Sequence, residues 1–228
     1  MKYLKLYERW DNNSDEKKAE RMDNLSKYLS AKFGKIIIPL GGEFTHAIFK
    51  FDEKRILKIN HHGSIGEFEL QHYIKSHPEL PLAKVYEVGY IDIPLKLQLY
   101  TDPNKHKKKT EFIIIEKVEI TPALIKDLKT INYSSKELSK IIPEIVGNEL
   151  ILMLTSNLIN KDITLDRRYN NTDEVLQKMI NYFNNTNLAT TYNRLVEIFT
   201  ILSKHDIKWA DIHPYQFGIN QKGKIVAF

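Results

Sequence analysis

The sequence contains no cysteine, which excludes disulfides and thiolate metal sites and suits a reducing compartment. It also has no long hydrophobic run. The opening MKYLKLYERWDNN lacks the apolar segment of a signal peptide, and no stretch is long enough to span a bilayer. The expected setting is therefore cytoplasmic, with no membrane partner. No internal repeat is visible, and His61, His62, His72 and His77 lack metal-ligand spacing alongside carboxylates. What is present is ordinary for a globular protein: 228 residues, 42% hydrophobic and 28% charged, enough to build one domain or two small lobes without staples. The net charge of +5 and pI near 9.0 favour anionic partners, nucleotides included. An excess of this size is equally the mark of a solvated lysine-rich surface. The run from Lys105 to Lys109 follows Asp102-Pro103-Asn104 and reads as an exposed hairpin tip. Nucleic acid is not the expected partner there, because no aromatic or arginine support stands nearby.

Periodicity divides the chain into a sheet-rich first half and a helical second half. Asn13 to Phe33 predicts an amphipathic helix on the outside of the fold, with Asn13 and Glu16 as its cap and Met22, Leu25, Leu29 and Phe33 on one face. Strands are predicted at Lys35–Leu40, Thr45–Phe51 and Arg55–Ile59, with Gly41-Gly42 and Asp52-Glu53 at the turns. A helix over Gly66–Ser76 and strands over Lys84–Ile93, Leu95–Tyr100 and Glu111–Val118 follow. From Thr121 the pattern is helical: a long region over Ser134–Leu158 broken at Pro143 and Gly147, a helix over Thr172–Phe183 capped by Asn171 and Glu174, and a stripe of Leu188, Tyr192, Leu195, Phe199 and Leu202. The last residues read as a strand at Phe217-Gly218-Ile219, a turn at Asn220–Gly223 and a strand at Lys224–Phe228. The expectation is α+β, with a β-rich part at 1–118, a helical part at 119–228, a hinge near Glu116–Ile120 and a cleft between unlike lobes.

Five features occur in an order that suits phosphoryl transfer. Gly41-Gly42 lies between strands, where glycine lets backbone approach a phosphate. Lys58 sits among apolar residues of a strand and needs an anionic partner, which Glu67 on the next helix supplies, with Glu69 as the alternative register. Then come the strand Phe112–Val118 and a loop bearing Asp211, His213 and Gln216. An acid and an amide five residues apart suit a group that accepts a hydroxyl proton and one that helps hold a metal against phosphate oxygens.

On these residues the chain, from about Leu40 to Phe228, resembles the protein-kinase-like superfamily, which includes protein kinases and the small-molecule kinases related to aminoglycoside phosphotransferases. Arg55–Ile59 is similar to its Val-Ala-Ile-Lys strand. The resemblance implies a bilobal fold: an antiparallel β-sheet lobe with one internal helix, and a short, mainly helical lobe. It implies ATP and Mg2+ as cofactors and a protein or small-molecule phosphoacceptor. Lys58 would bind the α- and β-phosphates and Glu67 would position it. Gly41 and Gly42 would approach the phosphates, Ile48 would cover the adenine ring, and Glu116, Lys117 and Val118 would lie beside the base. Asp211 would orient the acceptor hydroxyl, Gln216 would help hold Mg2+, and His213 would stand where some kinases place a lysine on the transferred phosphate. Lys58 and Asp211 are thus expected to face each other across a nucleotide.

The departures from the family pattern are specific. The glycines are adjacent rather than spaced, Trp209-Ala210 precedes the acid, and Gln216 replaces an asparagine. The family's second metal-binding acid would fall one residue after Phe228. Either it lies in a continuation of the chain, or it is absent and Mg2+ is not held in the usual way. The alternative function is a pseudokinase that binds nucleotide and a protein partner without transferring phosphate. Taken singly, Gly41-Gly42 reads as a hairpin turn, Lys58 as an edge-strand lysine, Glu67 as helix surface, Asp211 as a turn brace and His213 as a satisfied buried polar residue.

Overall fold

The computed structural model describes residues 15–43, 46–60, 65–94, 97, 110–142, 145, 151, 172–207 and 213–228. The architecture is α+β, and the chain divides into two compact units: Met1–Pro78 with Lys84–Lys117, and Glu79–Ala83 with Val118–Phe228. Among the described residues no helix is long and apolar enough to cross a membrane.

The first unit contains α1 (Asp15–Phe33), β1 (Ile38–Glu43), β2 (His46–Lys50), β3 (Arg55–Asn60), α2 (Ile65–Ser76), β4 (Val85–Ile91) and β5 (Thr110–Glu116). Its five strands form an antiparallel sheet in the order β1-β2-β3-β5-β4. Strand alternation sends Ala47, Phe49, Leu57, Ile59, Phe112 and Ile114 to one face, where they pack with Leu25 and Leu29 of α1. Met22 and Phe33 close the same cluster, so the four-residue stripe of α1 seats that helix. Each such large side chain taken out of water stabilises the unit by roughly 1.5–3 kcal/mol. The opposite face meets α2. Phe68 lies 4.8 Å from Tyr90 of β4, and Phe68, Ile74, Val88 and Ile113 are all buried.

Gly41 and Gly42 are not at a turn, contrary to expectation. They lie inside β1, opposite Ile48 and Ala47, after a bulge between Pro39 and Gly41. Gly41 has φ of 137°, a backbone that L side chains rarely adopt, so glycine extends the strand here rather than ending it. The connection to β2 falls at 44–45, outside the described residues. At the next turn Asp52 does act as expected: it accepts the Lys54 N–H at 3.0 Å and pairs with Arg55 at 2.6 Å.

The second unit contains α3 (Pro122–Tyr133), α4 (Ser135–Leu138), α5 (Thr172–Asn184), α6 (Ala189–Lys204), a 3-10 turn (Pro214–Gln216), β6 (Phe217–Ile219) and β7 (Ile225–Ala227). Thr121 caps α3 by accepting the Leu124 N–H at 3.2 Å, and proline follows at the first helical position. The helical region predicted over Ser134–Leu158 opens with α4, and Ile151 within it is also helical. α4 ends at Leu138, and tight backbone bonds from Lys140 to Glu137 and from Ile141 to Leu138 close it into a turn. Pro143, Gly147 and Leu158 lie outside the described residues, as do Asn13, Asn171, the run Lys105–Lys109 and, except for Leu97, the predicted strand Leu95–Tyr100. Tyr192, Leu195, Phe199 and Leu202 are fully buried and Leu188 nearly so. α5 and α6 meet where Phe183 stacks on Tyr192 at 4.1 Å. The β6–β7 hairpin is held from three sides: Glu119 bridges Ile219, Leu82 bridges Ala227, and Arg194 of α6 donates to the Ile225 carbonyl at 2.9 Å.

Candidate functional site

In the first unit the predicted residues fall on one row of the sheet. Gly41 is opposite Ile48, Ile48 opposite Lys58, Lys58 opposite Ile113, and Ile113 opposite Val88. Because Leu57 and Ile59 face α1, Lys58 projects from the face on which α2 lies. The adjacent row joins Lys50, Ile56 and Ile115. Ile48, Ile56, Lys58 and Ile115 are all half-buried, whereas Ala47, Phe49, Leu57 and Ile59 behind them are completely covered. The result is a small apolar floor with the Lys58 ammonium rising from it and Lys50, paired with Glu53, at its edge. Glu69 of α2 is exposed, and the Glu67 side chain lies outside the described set.

The segment expected beside an adenine is bound into its own unit. The Glu116 carboxylate is buried and accepts the Lys84 N–H at 3.2 Å, while the Glu116 N–H donates to the Lys84 carbonyl at 2.8 Å. The Lys117 N–H donates to the Lys54 carbonyl at 2.8 Å. The N–H groups of two of the three residues expected beside the base are thereby committed. Val118 begins the second unit, where its side chain stands close enough to Gly218 that a Cβ there would meet it at 2.9 Å.

In the second unit Asp211 lies outside the described residues, and the turn that follows it is well defined. Gln216 and His213 cap each other. The Gln216 side-chain oxygen accepts the His213 N–H at 3.2 Å, and the His213 side chain accepts the Gln216 N–H. His213 is exposed, not buried. The Phe228 N–H donates to the Gln216 carbonyl at 3.0 Å, which lays the end of β7 along this turn. Lys129 of α3 sits 5.1 Å from the Tyr215 ring centre, and the Tyr215 hydroxyl holds its ammonium above the usual lysine range.

No protein-family model and no curated protein matches this chain. Assignment of a role therefore rests on its own residues. Sequence reasoning missed Ile56 and Ile115 as companions of Lys58, because only the β3–β5 register brings them beside it. It also passed over Glu111, a carboxylate 6% exposed within a strand of buried isoleucines. Two acids bracketing the apolar run of TEFIIIE, Glu111 and Glu116, are a signal the sequence does carry.

Proposed function

We propose that the chain is an ATP-dependent, kinase-like phosphotransferase of bilobal fold, transferring the γ-phosphate to a hydroxyl of a protein or small molecule. The observation that supports it best is the Ile48, Ile56 and Ile115 floor with Lys58 rising from it. An adenine is a flat apolar surface joined to a polyanion, and a floor of branched aliphatics beside the Lys58 ammonium suits both ends. In this reading Lys58 binds the α- and β-phosphates with Glu67 as its partner, and Gly41 gives the backbone the freedom to follow them. Asp211 orients the acceptor hydroxyl, and His213 contacts the phosphate in transfer. The base meets carbonyl oxygens or Val118, since the Glu116 and Lys117 N–H groups are engaged.

The described residues of the turn do not by themselves fit Mg2+. Their side chains offer two neutral oxygens, the Gln216 amide, which already accepts a backbone N–H, and the Tyr215 hydroxyl, which meets Lys129; Mg2+ takes about six oxygens, carboxylates and phosphates foremost. The same observation favours the second reading, a pseudokinase that binds nucleotide and a protein partner without turnover.

Turnover and its metal dependence separate the two. The enzyme hydrolyses or transfers phosphate from ATP with Mg2+ present, and Asp211→Asn lowers that rate by about 100-fold or more, since a positioned base contributes on that scale. Nucleotide binding with no turnover selects the pseudokinase. Turnover unchanged in Asp211→Asn removes the role given to that acid.

A further inference from the structure

We propose, resting on the phosphotransfer reading above, that Lys129, Tyr133 and Tyr215 form a subsite for an anionic group of the phosphoacceptor, a carboxylate or a phosphate carried beside its reacting hydroxyl. α3 and the Pro214–Gln216 turn belong to the same unit. The Lys129 ammonium lies 5.1 Å from the Tyr215 ring centre and meets the Tyr215 hydroxyl. One helical turn further on, Tyr133 brings a second phenol to the same ammonium, and it is 64% exposed. The His213 ring stands 6.2 Å from that of Tyr215. Contacts thus run from the side chain assigned to the phosphate in transfer, through Tyr215, to Lys129.

The chemistry of this face is all donor and positive. Lys129 and Tyr215 are half-buried and His213 is exposed. An ammonium offers three donors and each phenol one. One nitrogen of the His213 ring accepts the Gln216 N–H, so in the neutral ring the other nitrogen is a donor too. Among the described residues no carboxylate pairs with Lys129. Asp127, the acid of α3, is engaged by the Thr191 hydroxyl at 3.1 Å. Lys126, one turn before Lys129, is exposed and adds to the positive field. A carboxylate or phosphate accepts from the ammonium and the phenols together, in charge-assisted bonds. A cationic acceptor is repelled.

Three probes test the subsite: glycerate, glycerol 3-phosphate and, as neutral control, glycerol. Each is titrated at low salt into wild type, Lys129→Gln and Lys129→Arg, followed by the NMR shifts of the Tyr215 and His213 rings. At least one anionic probe binds wild type and glycerol does not; which one binds tells carboxylate from phosphate. Lys129→Gln weakens that binding about tenfold, the scale of one hydrogen bond to a charged group, and Lys129→Arg retains it. Equal affinity in wild type and Lys129→Gln, or no anion binding at tens of millimolar, overturns the subsite. A lower Tm for Lys129→Gln with affinity unchanged does the same, since it leaves the lysine only a brace for the turn. ATP consumption tests the acceptor role. A bound probe raises it by taking the γ-phosphoryl on its hydroxyl, with the proton passing to Asp211 and ADP leaving, or lowers it by displacing water. Binding without either effect overturns the acceptor role. Absence of ATP turnover by wild type removes the phosphotransfer reading, and the titration still decides the anion subsite.

Discussion

Replacing Tyr192 by phenylalanine should stabilise the second unit. Tyr192 is 0% exposed, and among the described residues its hydroxyl has no hydrogen-bond partner. Its ring stacks on Phe183 at 4.1 Å with an interplanar angle of 21°, a contact phenylalanine preserves. An unpaired buried hydroxyl costs roughly 1–3 kcal/mol. Removing the oxygen leaves a small void that gives part of this back, so the net gain is about 1 kcal/mol. For a chain of this length that raises Tm by roughly 2–4 °C. Burial also pushes the Tyr192 hydroxyl above its ordinary pKa of 10.0. A raised folded-state value means stability is complete below pH 10 and is lost as pH climbs further. The advantage of the variant therefore widens above pH 10. Calorimetry or circular dichroism at pH 7 and pH 10.5 reads both effects. A Tm lowered by 2 °C or more at pH 7 would refute the reasoning, because it would mean the hydroxyl makes a bond worth keeping.

Gly89→Ala should cost roughly 1–3 kcal/mol: a Cβ there meets the Phe112 ring at 2.8 and 2.9 Å, and Phe112 is itself fixed against Phe33 at 5.5 Å. Chemical denaturation reads the loss, and Phe112→Leu in the Gly89→Ala background should restore part of it. The Arg55 hydrogen bond holds the Asp52 carboxyl down at about 2 from its ordinary 3.8. That drop corresponds to about 2.4 kcal/mol, which screening at a carboxylate 29% exposed reduces to about 1 kcal/mol. A depressed value gives stability present above pH 3.8 and lost as pH falls through about 2. Asp52→Asn should accordingly melt below wild type at pH 6 and converge with it near pH 2.

The parts of the fold legible in the sequence are those set by local periodicity. The α1 stripe of Met22, Leu25, Leu29 and Phe33 and the α6 stripe from Leu188 to Leu202 both seat their helices, because a spacing of three and four residues places a single face against a core. The Asn220–Gly223 turn was legible for the same reason: Asn220 accepts from the Lys222 and Lys224 N–H groups at 3.0 Å, and Gly223 takes φ of 72°. Non-local pairing was not legible. Nothing in RILKIN or TEFIIIE states that β5 inserts between β3 and β4, yet that insertion puts Ile113 beside Lys58 and Glu111 diagonal to it. The adjacent glycines read as a turn because a bulge, which carries β1 through them, depends on the partner strand. The His213-Pro-Tyr-Gln216 turn was recognised as a loop. That its amide closes on its own backbone follows from a three-residue offset that fits a cap as well as a metal ligand.

The central claim is that the Lys58 face of the first unit binds a nucleotide, and equilibrium ATP binding to wild type and Lys58→Met tests it most directly. The account predicts that ATP at about 100 times its Kd stabilises wild type by about 2.7 kcal/mol and that Lys58→Met loses most of this effect while remaining folded. Equal ATP stabilisation in both proteins, or none in wild type at millimolar ATP, would contradict it.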